Sequence, residues 1–363
     1  MNLPHTKKYV WNKLTEYGYN PEKCGEMGIV CTVGNGDKAF LLRCDMDALP
    51  IEEESDLSFR STNGAMHACG HDMHTTMLLG AAKLLKQQES QLNGLVKLLF
   101  QPAEEILEGA KKCLEAGVLE SPEVSAGAMV HVVPIKDYPV KNVYIPPAGT
   151  FMASADWYEI IIEGKGGHGA MPETAIDPIN VATKIYDAFQ TLSAREISSA
   201  ERFVLTVGEF VGGYPGSSNV IPDKAYFKGT LRTIKEDVRQ QIKRRMLEIS
   251  EAIGKAFGAK VTVKFTHGCR SDEVDPNVTE IVKERMNKSF PGNVARGVEL
   301  DLPVMGSEDF GEISHRIPTT TMLITAADTD LMLHNPKLVF DDSVLDFGAK
   351  VYVEAALAYL ESE

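Results

Sequence analysis

The stretch from Met66 to His74 contains the side chains that bind borderline-soft divalent metals best. It reads Met-His-Ala-Cys-Gly-His-Asp-Met-His, so Cys69 and His71 lie two positions apart. Cysteine thiolates and neutral imidazoles are preferred ligands of such ions. The glycine between them makes the segment too irregular for a helix interior, and both side chains could turn towards one point. Taken alone, the pair would be interpreted as a buried cysteine among solvent-facing histidines.

Further donors at three other places favour a metal site. Glu104 and Glu105 follow Gln-Pro-Ala, His131 begins His-Val-Val-Pro, and His334 lies in Leu-His-Asn-Pro. Each is found where a run that reads as a strand ends. Because ligands of open α/β sheets gather at the carboxyl ends of strands, this placement predicts a metal site there.

Strands and helices alternate around these donors, as in an α/β domain. Strands are predicted over residues 28–33, 38–43, 95–100 and 126–133. The last two are uninterrupted apolar runs, which are typical of a sheet covered on both faces. Asn35-Gly36 between the first two runs predicts a β-hairpin. The apolar spacing that follows Asp72 predicts a helix.

From Ser154 the pattern changes to that of a smaller α+β domain. The order β-α-β-β-α-β is predicted there, which is a complete ferredoxin-like unit. Its elements are expected over residues 156–163, 177–192, 203–210, 225–233, 235–257 and 260–265. The first pattern then resumes with a helix, a strand and a helix over residues 277–289, 319–325 and 342–360. We therefore predict a discontinuous α/β catalytic domain over residues 1–153 and 267–363, with an inserted domain over residues 154–266.

Length, composition and charge are those of an ordinary two-domain globular enzyme. The chain has 363 residues, of which 44% are hydrophobic and 24% charged. Its net charge of −14 argues against a nucleic-acid partner or an anionic membrane surface, because both would repel it. The six cysteines are scattered without a Cys-x-x-Cys pair, and neither a signal-peptide core nor a long apolar run is found. We therefore expect free thiols in a cytoplasmic protein without a membrane span.

Several motifs, in order along nearly the whole chain, resemble the M20 metallopeptidase family. The resemblance is to its amidohydrolase branch, which includes aminoacylases, hippurate hydrolases, auxin-conjugate hydrolases and N-acetyl-diaminopimelate deacetylases. The motifs are Arg43-Cys-Asp-Met-Asp-Ala-Leu-Pro50, Met66-His-Ala-Cys-Gly-His-Asp72, Gln101-Pro-Ala-Glu-Glu105, His131-Val-Val-Pro134, Gly166-Gly-His-Gly-Ala-Met-Pro172, Ser218-Asn-Val-Ile-Pro222, Gly306-Ser-Glu-Asp-Phe310 and Leu333-His-Asn-Pro336. The implied fold is a zinc-peptidase-like α/β catalytic domain with an inserted ferredoxin-like lid and dimerisation domain. Relatives usually carry a further helical segment ahead of Thr6, with an Arg-Arg…His…Pro-Glu pattern, and this chain begins within it.

The resemblance implies a pair of divalent ions. The implied ligands are Cys69, His71, Glu105, His131 and His334. The count agrees with this, because five protein donors exceed the three of a typical catalytic zinc. Two ions sharing them, with Cys69 well placed to bridge, leave positions for a water and a substrate oxygen. The thiolate favours Zn²⁺, Co²⁺ or Ni²⁺ over Mg²⁺, and Mn²⁺ stays open.

The resemblance also gives roles to nearby carboxylates. Glu104 is implied to be the general base that takes a proton from water and delivers it to the leaving amine, while Glu105 ligates. The alternative is an exposed acidic pair. Asp47 resembles the family carboxylate that fixes a ligand imidazole. For Asp45 the alternative is a cap on local backbone at a strand end, and His74, like His67, is expected to be structural.

Three residues of the inserted domain are implied to contact the substrate. His168, between glycines, resembles a histidine that reaches the active site of a partner subunit and stabilises the oxyanion. The alternative is a glycine-rich turn with an exposed histidine. Asn219 and Arg232 resemble the residues that hold the substrate carboxylate, and a surface salt bridge is the alternative for Arg232. A homodimer or a higher homo-oligomer is therefore expected.

The function expected is metal-dependent hydrolysis of N-acyl amino acids to a carboxylate and a free amino acid. A dipeptidase or aminopeptidase on the same scaffold is the second possibility, although those branches more often have Asp where Cys69 stands. A catalytically inactive metal-binding protein is the third, and the intact Glu104 with a full ligand set disfavours it. A hydrolase with Cys69 as nucleophile is disfavoured because a metal-bound thiolate is not free to attack.

Overall fold

The computed structural model describes residues 3–295 and 303–362, and the chain divides into two compact units. The first unit comprises Met1–Phe151, Asp272–Leu302 and Asp309–Glu363, and the second comprises Met152–Ser271 and Pro303–Glu308. Whether the first acts as the catalytic domain and the second as a lid and dimerisation domain stays a prediction. Among the described residues, no helix combines the length and apolarity needed to cross a membrane.

The elements follow the chain in alternating order. Those up to the start of the second unit at Met152 are α1 (Pro4–Glu16), β1 (Glu22–Cys24), β2 (Gly28–Asn35), β3 (Ala39–Asp45), α2 (His71–Gln87), β4 (Gly94–Gln101), α3 (Gly109–Glu115), β5 (Ala126–Pro134), β6 (Val143–Tyr144) and β7 (Gly149–Met152). Next come β8 (Ser154–Glu163), β9 (Gly167–His168), α4 (Pro178–Thr191), β10 (Phe203–Gly212), β11 (Val220–Ile221), β12 (Lys224–Thr233), α5 (Glu236–Phe257) and β13 (Lys260–Cys269). The last are β14 (Asp272–Val274), α6 (Pro276–Ser289), α7 (Gly311–Ser314), β15 (Thr319–Ala327) and α8 (Leu345–Leu360).

The first unit is built on a seven-stranded sheet with the order β1-β2-β4-β3-β5-β15-β6. Its four central strands, β4, β3, β5 and β15, are parallel, so their carboxyl ends lie at one edge. Both faces are covered: Phe40 and Leu42 of β3 pack in the larger apolar cluster with α2 and α8, whereas Leu41 packs in a smaller one with α3 and α7. This double coverage explains why the predicted strands read as continuous apolar runs.

The predicted hairpin between β2 and β3 is wrong. β4 lies between these two strands, antiparallel to β2 and parallel to β3. The connection passes over the start of β4, where the Leu95 N–H donates to the Lys38 carbonyl at 2.8 Å. A Cβ on Gly34 would lie 2.3 Å from the Gly94 carbonyl oxygen. The glycines therefore permit a close approach of two backbones rather than the tight turn that Asn-Gly usually indicates.

The second unit contains the predicted ferredoxin-like arrangement, and this prediction is confirmed. Its sheet has the order β10-β12-β8-β13, and all three pairings are antiparallel. The helices α4 and α5 pack on it around a separate apolar cluster. The helix α4 begins where Asp177 accepts hydrogen bonds from the Ile179 and Asn180 N–H groups, as an N-cap residue does. The short strands β9 and β11 form a ribbon of their own.

Candidate metal centre

The sheet of the first unit brings the predicted metal donors to the carboxyl ends of its parallel strands. The segment after β3 supplies Cys69 and leads into α2, which begins at His71. The turn after β4 supplies both glutamates, β5 contains His131 near its end, and the loop after β15 supplies His334. The predicted position at the carboxyl edge of the sheet is therefore the one observed.

Two sets of donors share the Cys69 sulfur. In one set, the ligand atoms of Cys69, His71 and His131 all lie within 4.8 Å of one another, and the same is true of Cys69, Glu105 and His334 in the other. The Cys69 Sγ lies 3.5 Å from the His131 Nε2. All five predicted ligands are thus brought together around the shared thiol. That each of them ligates an ion stays a prediction.

The His71 imidazole shows that these residues fit divalent cations. His71 is fully buried, and its Nε2 has no hydrogen-bond partner among the described residues. Carboxylate oxygens of Asp45, Glu104 and Glu105 lie 3.8 Å, 3.9 Å and 3.8 Å from that nitrogen. Its Nδ1 lies 3.1 Å from the Asp47 backbone oxygen, which leaves Nε2 for a ligand. A buried nitrogen lone pair among carboxylates is the environment that a cation satisfies.

Burial and neighbouring charges shift the pKa values of three of the donors, His131, Cys69 and His71. Burial lowers the pKa of His131 to about 4, so this imidazole is neutral as ligation requires. Burial raises the pKa of the Cys69 thiol to about 12, a shift that contact with a divalent ion would reverse. Burial opposes protonation of His71, yet the charge of Asp45 and a hydrogen bond with Asp47 hold its pKa well above the usual range. The carboxylates around His71 thus favour a positive charge at this position.

Asp47 has a wider role than the one predicted for it. Its Oδ1 lies 3.5 Å from the His71 Nδ1, in agreement with the predicted contact to a ligand imidazole. The same carboxylate accepts the Glu104 N–H at 3.1 Å and the Glu105 N–H at 3.0 Å. Ala103, just before them, adopts a left-handed backbone with φ of 60°. Asp47 therefore holds the turn that presents both glutamates, which residue types alone do not reveal.

A buried ionic network around Asp45 is not predicted by the residue types. The alternative in which Asp45 only caps local backbone is wrong: its Oδ1 lies 2.6 Å from the His74 Nδ1 and its Oδ2 accepts from Arg43 at 2.8 Å. Arg43 also donates to Asp309 and Gln101, both at 3.0 Å. Burial opposes ionisation of Asp45, but His71 and Arg43 hold its pKa well below the usual range. The available signal was a charged Arg43 inside an otherwise apolar strand.

The remaining predicted residues belong to the second unit. His168 is exposed on β9, and its Nδ1 accepts the Ala170 N–H at 3.0 Å. The Gly169 N–H donates to the Asn219 carbonyl at 2.8 Å, so His168 and Asn219 are neighbours on the β9–β11 ribbon. Arg232 lies on β12 and donates to the Ser307 Oγ at 2.6 Å. Their contacts with substrate stay predictions.

The chain thus has clusters of metal donors at the carboxyl edge of a parallel sheet and also contains a ferredoxin-like unit. The chain belongs to peptidase family M20/M25/M40, whose model matches residues 41–358. It is 37% identical over 322 residues to an N-acetylcysteine deacetylase of Bacillus subtilis, which covers 88% of this chain and 81% of that protein. It is 35% identical over 365 residues to a hippurate hydrolase of Campylobacter jejuni, covering 98% and 91%.

Two other similar proteins bear on the chemistry. Thermostable carboxypeptidase 1 of Saccharolobus solfataricus is 36% identical over 330 residues, covering 89% of this chain and 81% of that protein. A solved structure of a Bacillus subtilis dinuclear metal-binding peptidase of the M20 family has a TM-score of 0.78 and 31% identity, covering 99% and 92%. The predicted fold and membership of the amidohydrolase branch are therefore confirmed. The chain is a hydrolase of this family, and its donor clusters support divalent metal ions as cofactors.

Proposed function

We propose that the chain hydrolyses the amide bond of N-acyl amino acids at a centre of two divalent ions that share Cys69. The observation that carries the proposal is the pair of donor sets with one thiol in common, beside the buried Glu104. Relatives named for N-acetylcysteine and hippurate support the substrate class, since both compounds are N-acyl amino acids.

Each of the two donor sets would bind one ion. Cys69, His71 and His131 would hold one ion, while Glu105 and His334, again with Cys69, would hold the other. Bound there, such ions act as Lewis acids that lower the pKa of a water and polarise the amide carbonyl. Because a thiolate and imidazoles dominate the set, we expect Zn²⁺, Co²⁺, Ni²⁺ or Mn²⁺ rather than Mg²⁺.

Glu104 moves the proton in this proposal. Its backbone is fixed by Asp47, and its Oε2 lies 3.9 Å from the His71 Nε2, at the edge of the donor cluster. Its carboxylate takes the proton of the attacking water and gives it to the nitrogen of the leaving amine. His168 would stabilise the oxyanion, and Asn219 and Arg232 would bind the substrate carboxylate.

The proposed enzyme is cytoplasmic and at least dimeric. All six cysteines are free and buried, which suits a reducing compartment. The homodimer is proposed because His168 would act on a partner subunit.

Cleavage of peptides with a free carboxyl terminus is the second candidate. A relative named as a carboxypeptidase supports it, and the last residue of a peptide is itself acylated on nitrogen.

A substrate panel separates the two candidates. Metal-loaded enzyme would be assayed with N-acetyl, N-benzoyl and longer N-acyl derivatives of a set of amino acids, and with dipeptides and longer peptides of the same carboxyl-terminal residues. We expect the highest kcat/KM for an N-acyl amino acid, and its loss in Glu104→Gln. Cleavage of peptides without hydrolysis of any N-acyl amino acid would overturn the proposal in favour of the second candidate.

A further inference from the structure

We propose that His74, held by Asp45, is a positioning residue that fixes the orientation of the His131 imidazole. Through this orientation, His74 would determine how tightly the donor set that contains His131 binds its ion. The inference rests on the proposed function only in that it uses the two donor sets. His74 would act on His131 through the backbone of Val132, and the two rings are also in direct edge contact, with centroids 4.4 Å apart.

Val132 links the two imidazoles through its backbone. Its N–H donates to the His74 Nε2 at 2.8 Å, and its carbonyl oxygen lies 2.7 Å from the His131 Nδ1. One residue is thus held by two imidazoles, one on each of its backbone polar groups. Any displacement of His74 moves Val132, and with it the ring and the backbone of His131.

The hydrogen bonds also fix which nitrogens carry protons. A backbone N–H can only donate, so the His74 Nε2 is the acceptor and its proton lies on Nδ1, facing Asp45 at 2.6 Å. A carbonyl oxygen can only accept, so the His131 proton lies on Nδ1. The His131 Nε2 therefore presents its lone pair towards Cys69, whose sulfur is 3.5 Å away.

Asp45 is itself immobilised, which makes this arrangement stiff. Its second oxygen accepts from Arg43 at 2.8 Å, and neither Asp45 nor His74 is accessible to solvent. Asp45, His71 and His74 lie close enough together to hold an ion of their own. However, both Asp45 oxygens and both His74 nitrogens already have protein partners, so this cluster acts by position rather than by ligation.

The second donor set is built differently. The side chain of His334 is 50% exposed, and its backbone has a φ of 69° in the loop after β15. Its Nε2 lies 3.6 Å from Glu105. A change at His74 should therefore weaken binding of the ion held by the set that contains His131. Binding of the ion held by the set that contains His334 should stay close to normal.

The test is metal binding by three His74 variants, measured by competition of Zn²⁺ or Co²⁺ with a chelator. His74→Phe removes both hydrogen bonds, and we expect one dissociation constant to rise by about 10–100-fold. His74→Gln can place an amide oxygen near the Nε2 position and accept the Val132 N–H, whereas His74→Asn can reach only Asp45. We expect Gln to restore more of the affinity than Asn, with the visible spectrum of the Co²⁺ form following the same order.

A matched control separates positioning from general loss of stability. Tyr19→Phe removes a buried hydrogen bond to the Ala82 carbonyl in α2, the helix that also contains His74. It should lower the melting temperature and leave metal affinity unchanged. If His74→Phe does not fold, the comparison of Gln with Asn decides the question.

Unchanged metal affinity and Co²⁺ spectrum in folded His74→Phe would overturn the inference, as would equal affinities in the Gln and Asn variants. Failure of the proposed function has a different signature. In that case the wild-type protein binds its metals with the His74 dependence described, yet hydrolyses none of the N-acyl amino acids.

Discussion

The adjacent Glu104 and Glu105 have different surroundings. Asp47 binds the backbone of both, and the left-handed Ala103 before them turns the chain. The Glu105 Oε1 lies 3.6 Å from the His334 Nε2, within a donor set. Glu104 is buried beside His71 and belongs to neither of the sets that contain Cys69. A regular strand would have pointed the two side chains to opposite faces.

The division of roles predicts different results for the two amide variants. Glu104→Gln should keep its metal and lose at least about 10²-fold in kcat, because only the proton acceptor is removed. Glu105→Gln should lose metal and activity together. The measurements are metal content by elemental analysis and kcat with saturating substrate. Similar metal loss in both variants would show that the roles are not divided.

The residues predicted as donors do come together in the structure, whereas the residues that pack around them were not predicted from residue types. Cys69, His71 and His131 belong to the few side chains that soft metals prefer, so their positions after strands were informative. Asp45 and His74 are 29 positions apart, and only the packing of α2 against the sheet brings them to 2.6 Å. The sequence contains no signal for such a pair beyond a charge in an apolar run.

The elements were predicted more reliably than their neighbours in the sheet. The apolar runs at β4 and β5 identified buried strands, and the alternating order identified the ferredoxin-like unit. The predicted pairing of β2 with β3 is wrong because the local Asn-Gly signal indicated a tight turn between them. In the structure β4, nearly sixty residues later in the chain, lies between β2 and β3. Long-range pairing is decided by burial of both faces, which a local motif does not report.

Gly109 allows a test of the turn between β4 and α3, which contains Glu104 and Glu105. Its N–H donates to the Ala103 carbonyl at 3.1 Å, and a Cβ there would lie 1.7 Å from the Pro102 carbonyl oxygen. Gly109→Ala should therefore displace the turn, costing about 1–3 kcal/mol of unfolding free energy and much of kcat/KM. Denaturant unfolding and steady-state kinetics measure the two effects.

Gly208→Ala is the control for this experiment. Apart from its two chain neighbours, no described residue has a heavy atom within 4 Å of a Cβ built at Gly208, so the same substitution should leave the free energy of unfolding nearly unchanged. An active and stable Gly109→Ala variant would contradict the tight turn that the structure shows.

The whole molecule consists of two units, each with its own apolar core. The predicted metal ligands lie in one and His168 in the other. In the second unit β10 is an edge strand, and Val204, Phe210 and Val211 on it are about two-fifths exposed. Exposed edges are often closed by pairing with a second copy. These features agree with a homodimer, which stays a prediction.

Subunit complementation tests whether His168 acts across that interface. His168→Ala and Glu104→Gln should each be inactive, and mixing them under conditions of subunit exchange should restore activity. At equal amounts, about a quarter of the sites would combine Glu104 from one chain with His168 from the other. A native mass measurement would establish exchange. No recovered activity after proven exchange would place His168 at its own subunit's site or outside the chemistry.

We predict that divalent ions held by the donor sets around Cys69 are required for amide hydrolysis. The most direct measurement is hydrolysis of an N-acyl amino acid by chelator-stripped enzyme during titration with Zn²⁺, Mn²⁺, Co²⁺ or Ni²⁺, with metal content determined at each step. We predict no hydrolysis without metal, recovery that is complete at two ions per subunit, and loss of both metal and activity in Cys69→Ala. Full activity in a rigorously metal-free preparation would show that hydrolysis does not depend on these ions.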